Sequence, residues 1–360
     1  MQIFEPDKFE TEILDSINDI LDIRTYSTRN STLSEMSYKQ RCFLNGVIRQ
    51  VKPKKILEVG VAGGGSSAII LNAIKDIDGS FLYSIDYNEK YYRDSSRNSG
   101  FIVNEKFPEL SNKWKLYLGG LSAKYMEEIG GDIDLCLLDT VHSNPGEFLD
   151  ILFILPYLNK NAILILHDIA YHYYFSEKSY TNGILFSSLK GKKIMLNEDY
   201  FGTEVGNIGL IILDDDIMER IFDYFYLLAL PWIYMISKED IVVAEQFIRK
   251  HYGENYAKMF LNIALHYQEK INNTKINDLT TKASNSEKQI KDISSKLNNI
   301  EKQIKDMTSK ENNIEKQIKS INSNINNTDK KINNVINSLA WWIPNRKKRE
   351  KFRNDMNNTK

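Results

Sequence analysis

Two short segments carry side chains able to do acid–base or metal chemistry. LLDTVH supplies Asp139 and His142, and LILHDIA supplies His167 and Asp168. Each segment is an apolar run ending in polar residues and reads as a buried β-strand, so adjacent strand ends would gather all four side chains at one sheet edge. Two carboxylates with one or two imidazoles suit a divalent cation held by Asp139 and Asp168, with or without His167, leaving His142 free as a general base. Hard carboxylate oxygens favour Mg2+ or Mn2+. A hydrogen-bonded His/Asp network without a metal is the alternative these residues leave open. No second set of His or Cys stands at zinc spacing.

Two further acids occupy comparable places. ILEVGVAGGGSS, residues 56–67, runs from an apolar strand through a glycine cluster into helix-compatible sequence. A turn of this kind lets backbone approach a nucleotide, because glycine accepts positive φ and has no Cβ to obstruct a ligand. The same glycines would also serve plain close packing. Glu58 lies inside the strand, and Asp86 closes the next one, where an acid can accept hydrogen bonds from a ribose. A nicotinamide dinucleotide site fits less well. Ala62 replaces the middle glycine of GxGxxG, and such a site has no use for the Asp139, His142, His167 and Asp168 cluster.

Holding these residues at one edge requires a parallel sheet covered on both faces, and the chain alternates strand and helix as such a sheet demands. Strands are expected at 55–60, 81–86, 115–119, 134–139, 162–167, 192–196 and 207–213, with helices near 66–75, 122–129 and 145–157. The short connection between the last two strands permits an antiparallel hairpin. Phe9, Ile13, Ile17, Ile20 and Leu21 recur at helical spacing, and 38–51 reads as a second helix, so 1–50 is an N-terminal helical region; a helical extension follows at 216–270. The aromatic stretch AYHYYFSEKSYTN, 170–182, lies just past the acidic edge and suits a lid or a sugar-stacking surface.

The 360 residues allow one substantial core and an appendage, and a net charge of -1 gives no general argument for nucleic acid. Cys42 and Cys136 sit far apart in apolar contexts, which fits a reduced compartment. The acidic N-terminus lacks a signal-peptide core, and the apolar stretch 224–236 is short and broken by Pro231, so the expectation is a soluble, cytoplasmic protein.

From about residue 271 the composition turns to Asn, Lys, Ser and Ile, and EKQIK recurs at 287, 301 and 315. Apolar residues then fill most a and d positions of ten heptads over 271–342, from Ile276 and Leu279 to Leu339 and Trp342, with Glu311, Ser286 and Thr328 as exceptions. This pattern predicts a coiled coil on the order of 100 Å long. Lys282, Lys296 and Lys310 at g each precede a glutamate at e by five residues, which favours parallel chains, and isoleucine at both a and d favours three or four strands over two, a trimer first. The tail at 343–360 is basic and follows Trp341 and Trp342, a combination drawn to the inner membrane surface or, alternatively, the solvated close of the coiled coil. Nucleic acid is not expected, since no aromatic platform or groove-entering motif accompanies the charge.

Taken in order, EVGVAGGGSS, SIDY, GGLSAKYMEEI, LLDTVHSNPGEFLDI and LILHDI resemble the class I S-adenosylmethionine-dependent methyltransferases, in the branch of catechol-type and macrolide-sugar O-methyltransferases. The likeness covers roughly 38–215. It implies a Rossmann-like, doubly wound α/β fold of seven strands with the last antiparallel. It places Glu58, Gly60, Gly64 and Ser66 at the methionine moiety, Asp86 at the ribose hydroxyls and Ser122 near the adenine. It also places Asp139, Asp168 and His167 at the positions that bind Mg2+, and His142 at that of the base. Leu121 stands where relatives usually carry an acid, and His167 where they carry a carboxylate or a bulky apolar residue. The implied activity is O-methylation, with a sugar hydroxyl of a surface glycan or its precursor as acceptor. A membrane-proximal oligomeric scaffold that binds ligand without turnover is the alternative.

Overall fold

The computed structural model describes residues 12–21, 33–198 and 205–359. Phe9, most of the polar interval after Leu21 and most of the loop expected at 197–206 lie outside the described residues. The chain divides into two compact units, Met1–Thr274 and Lys275–Lys360.

The first unit is built on a seven-stranded sheet: β1 Lys55–Val59, β2 Phe81–Asp86, β3 Trp114–Leu118, β4 Ile133–Leu138, β5 Leu158–His167, β6 Gly191–Met195 and β7 Ile208–Leu213. Their spatial order is β3-β2-β1-β4-β5-β7-β6. β1 to β5 run parallel, whereas β7 is antiparallel to both β5 and β6. The expected seven-stranded, doubly wound sheet with an antiparallel last strand is therefore present.

Side chains alternate between the faces, as strand geometry requires. Leu57, Val59, Cys136, Leu138, Leu164 and Leu166 pack with Phe148, Phe153, Phe247 and Phe260 on one face. Ile56, Leu82, Leu135, Leu137, Ile163 and Ile165 pack with Phe43, Leu44, Ile69 and Ile70 on the other. Burying a side chain of this size contributes about 1.5–3 kcal/mol, which is why the central strands read as unbroken apolar runs. The cysteines are free and buried.

Several elements differ from expectation. β5 starts four residues early, at Leu158, and the helix expected at 122–129 is a 3-10 turn, Ser122–Lys124, followed by one helical turn, Met126–Ile129. A ribbon of Lys90–Tyr91 with Asp94–Asn98, a helix Phe101–Lys106 and a helix Thr181–Ser188 appear in segments read as connections. The extension comprises Ile221–Leu227, Lys238–Tyr252 and the start of a long helix, Glu254–Trp341.

In the second unit that helix continues to Trp341 and is followed by Arg346–Asn358. Asn345 caps the latter, its side-chain oxygen accepting from the Lys347 and Lys348 amides. No helix among the described residues is long and apolar enough to cross a membrane.

Candidate active site

β1 ends in a turn that only glycine can make. Gly60 has φ 95°, and a Cβ there would stand 1.7 Å from the Asp139 carbonyl oxygen, so β1 and β4 can converge only if residue 60 has no side chain. The Asp86 Oδ2 accepts from the Val61 and Ala62 amides at 2.9 and 2.8 Å, and Oδ1 accepts from Asn88. Asp86 thus anchors the glycine turn while lining the cavity. Glu58 is fully buried and accepts from the hydroxyls of Ser66, Ser67 and Ser84, each at 2.6 Å. Burial pushes its carboxyl above the usual range, and the three hydroxyls oppose that shift. Of the residues expected at the methionine moiety, Gly60 and Ser66 line the cavity. Glu58 and Gly64 do not: Glu58 braces the turn from behind, and Gly64 packs against the Gly100 backbone.

At β4 and β5 the four expected side chains do meet. His142 Nε2 lies 3.1 Å from Asp168 Oδ2 and 3.7 Å from Asp139 Oδ1, while His167 Nδ1 lies 3.1 Å from Asp139 Oδ2. His142 and Asp168 both have positive φ, 57° and 56°, a conformation costly for non-glycine residues and tolerated where surrounding contacts impose it. For His142 one such contact is Glu147, whose carboxylate accepts from the His142 amide and faces its Nδ1 at 3.4 Å. Glu147 is itself fixed by Thr181 at 2.7 Å.

His167 is held differently. The Gln40 amide nitrogen donates to Glu198 Oε2 at 3.0 Å, so its carbonyl oxygen faces His167 Nε2, 3.1 Å away, and that nitrogen must donate. Burial opposes a charge on either imidazole but is outweighed. Glu147, Asp139 and Asp168 raise His142 to about 10, and Asp168 and Asp139 raise His167 to about 9. The carboxylates around them thus favour the charged form of both rings, and Asp139, despite burial, is held below its usual value by His167 and then His142.

Three donor atoms, from Asp139, His142 and Asp168, lie within 4.8 Å of one another. Two carboxylates and an imidazole at a cavity wall fit a divalent cation. His142 completes that set, while His167, the imidazole expected there, turns Nε2 to Gln40 and brings Nδ1 to 3.1 Å from Asp139 Oδ2 and 3.6 Å from Asp168 Oδ1.

Turn and cluster share one cavity of about 860 Å3, a size suited to a cofactor together with part of an acceptor. Its lining includes a further buried acid. Asp150, on the helix Gly146–Ile154, accepts from Ser122 at 2.7 Å and from Thr140 at 3.2 Å. Burial, reinforced by Glu147, pushes its carboxyl up to about 7, against the pull of Ser122 and Thr140. It lines the cavity together with Leu121 and Ser122, so an acid from a different element does reach this part of the lining. Opposite, Tyr171 lies against His142 with ring centroids 5.3 Å apart, and Tyr92, Arg93 and Glu35 complete that wall.

The first unit thus carries a Rossmann-like sheet with a glycine turn and with acids gathered at the ends of β1, β2, β4 and β5. Residues 57–169 match the family described as a methyltransferase domain. Similar solved structures include the O-methyltransferase TomG from Streptomyces achromogenes, determined with S-adenosylmethionine. It is 14% identical, with 50% of this chain and 81% of that one covered and a TM-score of 0.38. An O-methyltransferase from Bacillus cereus is 14% identical over 56% of this chain and 89% of its own, with a TM-score of 0.38. The Podospora anserina methyltransferase PaMTH1 is 15% identical over 60% of this chain and 100% of its own, with a TM-score of 0.40. No curated protein matches the chain.

Proposed function

We propose that the first unit methylates a hydroxyl oxygen, with a sugar of a surface glycan or its precursor as acceptor, and that a divalent cation assists. The observation that carries this reading is the shared cavity, in which the turn 60–63 and Asp86 face the Asp139, His142 and Asp168 cluster.

When bound, S-adenosylmethionine supplies a methyl group on a sulfonium. Asp86 and the turn would hold the ribose side, Ser66 would stand at the methionine side, and Ser122 and Asp150 would receive the adenine. The acceptor oxygen forms a bond to the methyl carbon as the carbon–sulfur bond breaks, S-adenosylhomocysteine leaves, and the hydroxyl proton passes to His142. The main duty of the protein is alignment. Asp139 and Asp168 would hold Mg2+ or Mn2+, which lowers the pKa of coordinated hydroxyls. A cation on those carboxylates would oppose the positive charge they otherwise favour on His142, leaving that imidazole able to accept the hydroxyl proton. Tyr171 and Tyr92 offer aromatic faces for a pyranose ring.

The geometry also favours a second assignment, with His142 as the third cation ligand. His142→Ala separates the two: a base variant loses kcat at unchanged Mg2+ requirement, whereas a ligand variant is rescued by raised Mg2+. The overall reading is tested by incubating the full chain with methyl-labelled S-adenosylmethionine and mono- and disaccharides bearing adjacent hydroxyls, with and without chelator. Label transfer that falls on chelation is expected. Cofactor binding without transfer to any hydroxyl acceptor would sink it in favour of the ligand-binding scaffold.

A further inference from the structure

Fifteen large apolar side chains from Ile276 to Leu339 stand 41–65% exposed along the second unit's helix. An apolar seam of this length is not stable in water uncovered. We propose that further copies of this chain cover it, as a parallel, in-register, three-stranded coiled coil.

Charge fixes the direction. Lys282, Lys296 and Lys310 occupy one flank of the seam and Glu287, Glu301 and Glu315 the other. Parallel copies set each lysine against a glutamate of the neighbour; antiparallel copies would set lysine against lysine and glutamate against glutamate. Among the described residues, the ion pairs within this stretch reduce to Lys296 with Asp292 at 2.8 Å, so none of the three glutamates is held in an ion pair by its own helix. Isoleucine at both inner positions favours three or four strands over two.

Sedimentation equilibrium of the full chain is expected to give three times 41.8 kDa; the mass of one chain overturns the proposal. Leu279→Cys lies on the seam and should cross-link under mild oxidation, whereas Thr281→Cys, on the outer face, should not. An oligomer in which L279C stays unlinked overturns the parallel register. K282E/K296E/K310E and E287K/E301K/E315K should each lose association and regain it when mixed; undiminished association of either alone overturns the charge pairing. Cofactor binding by the same samples reports on the first unit separately.

A different observation concerns the end of the same unit. Trp341 and Trp342 are 72% and 83% exposed. The following turn is pinned by Arg349, whose guanidinium donates to the Ile343 carbonyl at 2.9 Å and lies 5.1 Å from the Trp341 ring. Residues 346–353 carry six cationic side chains and one acid. Exposed indoles beside a basic helix match the headgroup region of an anionic bilayer, and we infer that this end binds one. Parallel copies place all such ends together, so that binding is multivalent.

Flotation with phosphatidylcholine vesicles, with and without phosphatidylglycerol, is the test. Binding confined to the anionic vesicles, weakened at least tenfold by W341A/W342A and by the non-associating charge variants, is expected. Equal binding to neutral vesicles, no binding to either, or retention by duplex DNA alone overturns the inference.

Discussion

The two ends of the catalytic sheet edge are built on opposite plans. Around β1 and β2, each acid is closed on the protein: Glu58 on three hydroxyls, Asp86 on three backbone amides. Around β4 and β5, two imidazoles and two carboxylates balance one another across an open cavity wall, with His142 and Asp168 in costly backbone conformations. The first end is shape fixed by hydrogen bonds, and the second is a balance of opposite charges at the cavity wall. Substitutions at the first should damage architecture and cofactor affinity together, whereas substitutions at the second should spare architecture and remove turnover.

The strongest test of that contrast is Gly60→Val. Its side chain would collide with the Asp139 carbonyl, so calorimetry should show cofactor affinity reduced more than 100-fold or the protein should not fold. Near-normal affinity would mean that the turn is not part of the site. Asp168→Asn should instead lower the methylation rate by about 100-fold or more while cofactor affinity changes less than about threefold. A matching fall in affinity would erase the distinction between the ends.

Glu58→Gln sharpens the comparison from the structural side. Ser84 already accepts from the Trp114 indole at 2.8 Å and donates to Glu58. An amide nitrogen in place of that acceptor would strand a buried donor, costing on the order of 1–3 kcal/mol in denaturant unfolding.

Asp150 gives the gentlest probe. Its pKa is about 7 in the folded protein against an ordinary 3.8, so between these values the folded state binds the extra proton. Stability from this group is therefore fully present below about pH 4 and lost as pH rises through about 7. Asp150→Asn should remove that slope, worth on the order of 3 kcal/mol at most, when unfolding is compared at pH 5 and pH 8. Weaker cofactor binding by D150N above pH 7 would place the carboxylate at the adenine.

Much of this was legible in the chain. The apolar runs marked the central strands because parallel strands buried on both faces have no polar period to obscure them, and the four residues of the β4–β5 cluster followed from the strand ends. The ribbon Asp94–Asn98 was not legible, since DSSRN has no strand-forming side chain; its pairing comes from the turn. Asp150 and Glu147 left a usable signal: acids in the otherwise apolar GEFLDILFI are either capping groups or buried for a purpose. Gln40 left none, because its role depends on Glu198 and His167, both more than 120 residues away.

The antiparallel β7 has a consequence for biosynthesis. Running against its neighbours, it starts at the edge where they finish, which brings Asn207 to Asp168, with its side-chain oxygen accepting from the Ala170 amide at 3.0 Å. A nascent chain that has released β1 to β5 therefore has both carboxylates in hand but not the residue that orients one of them. Domains fold as units while synthesis proceeds at about 5–20 residues per second, so the acidic edge stays unfinished for several seconds after Asp168 is made. Until β7 inserts, β5 is an open sheet border for any passing strand to join.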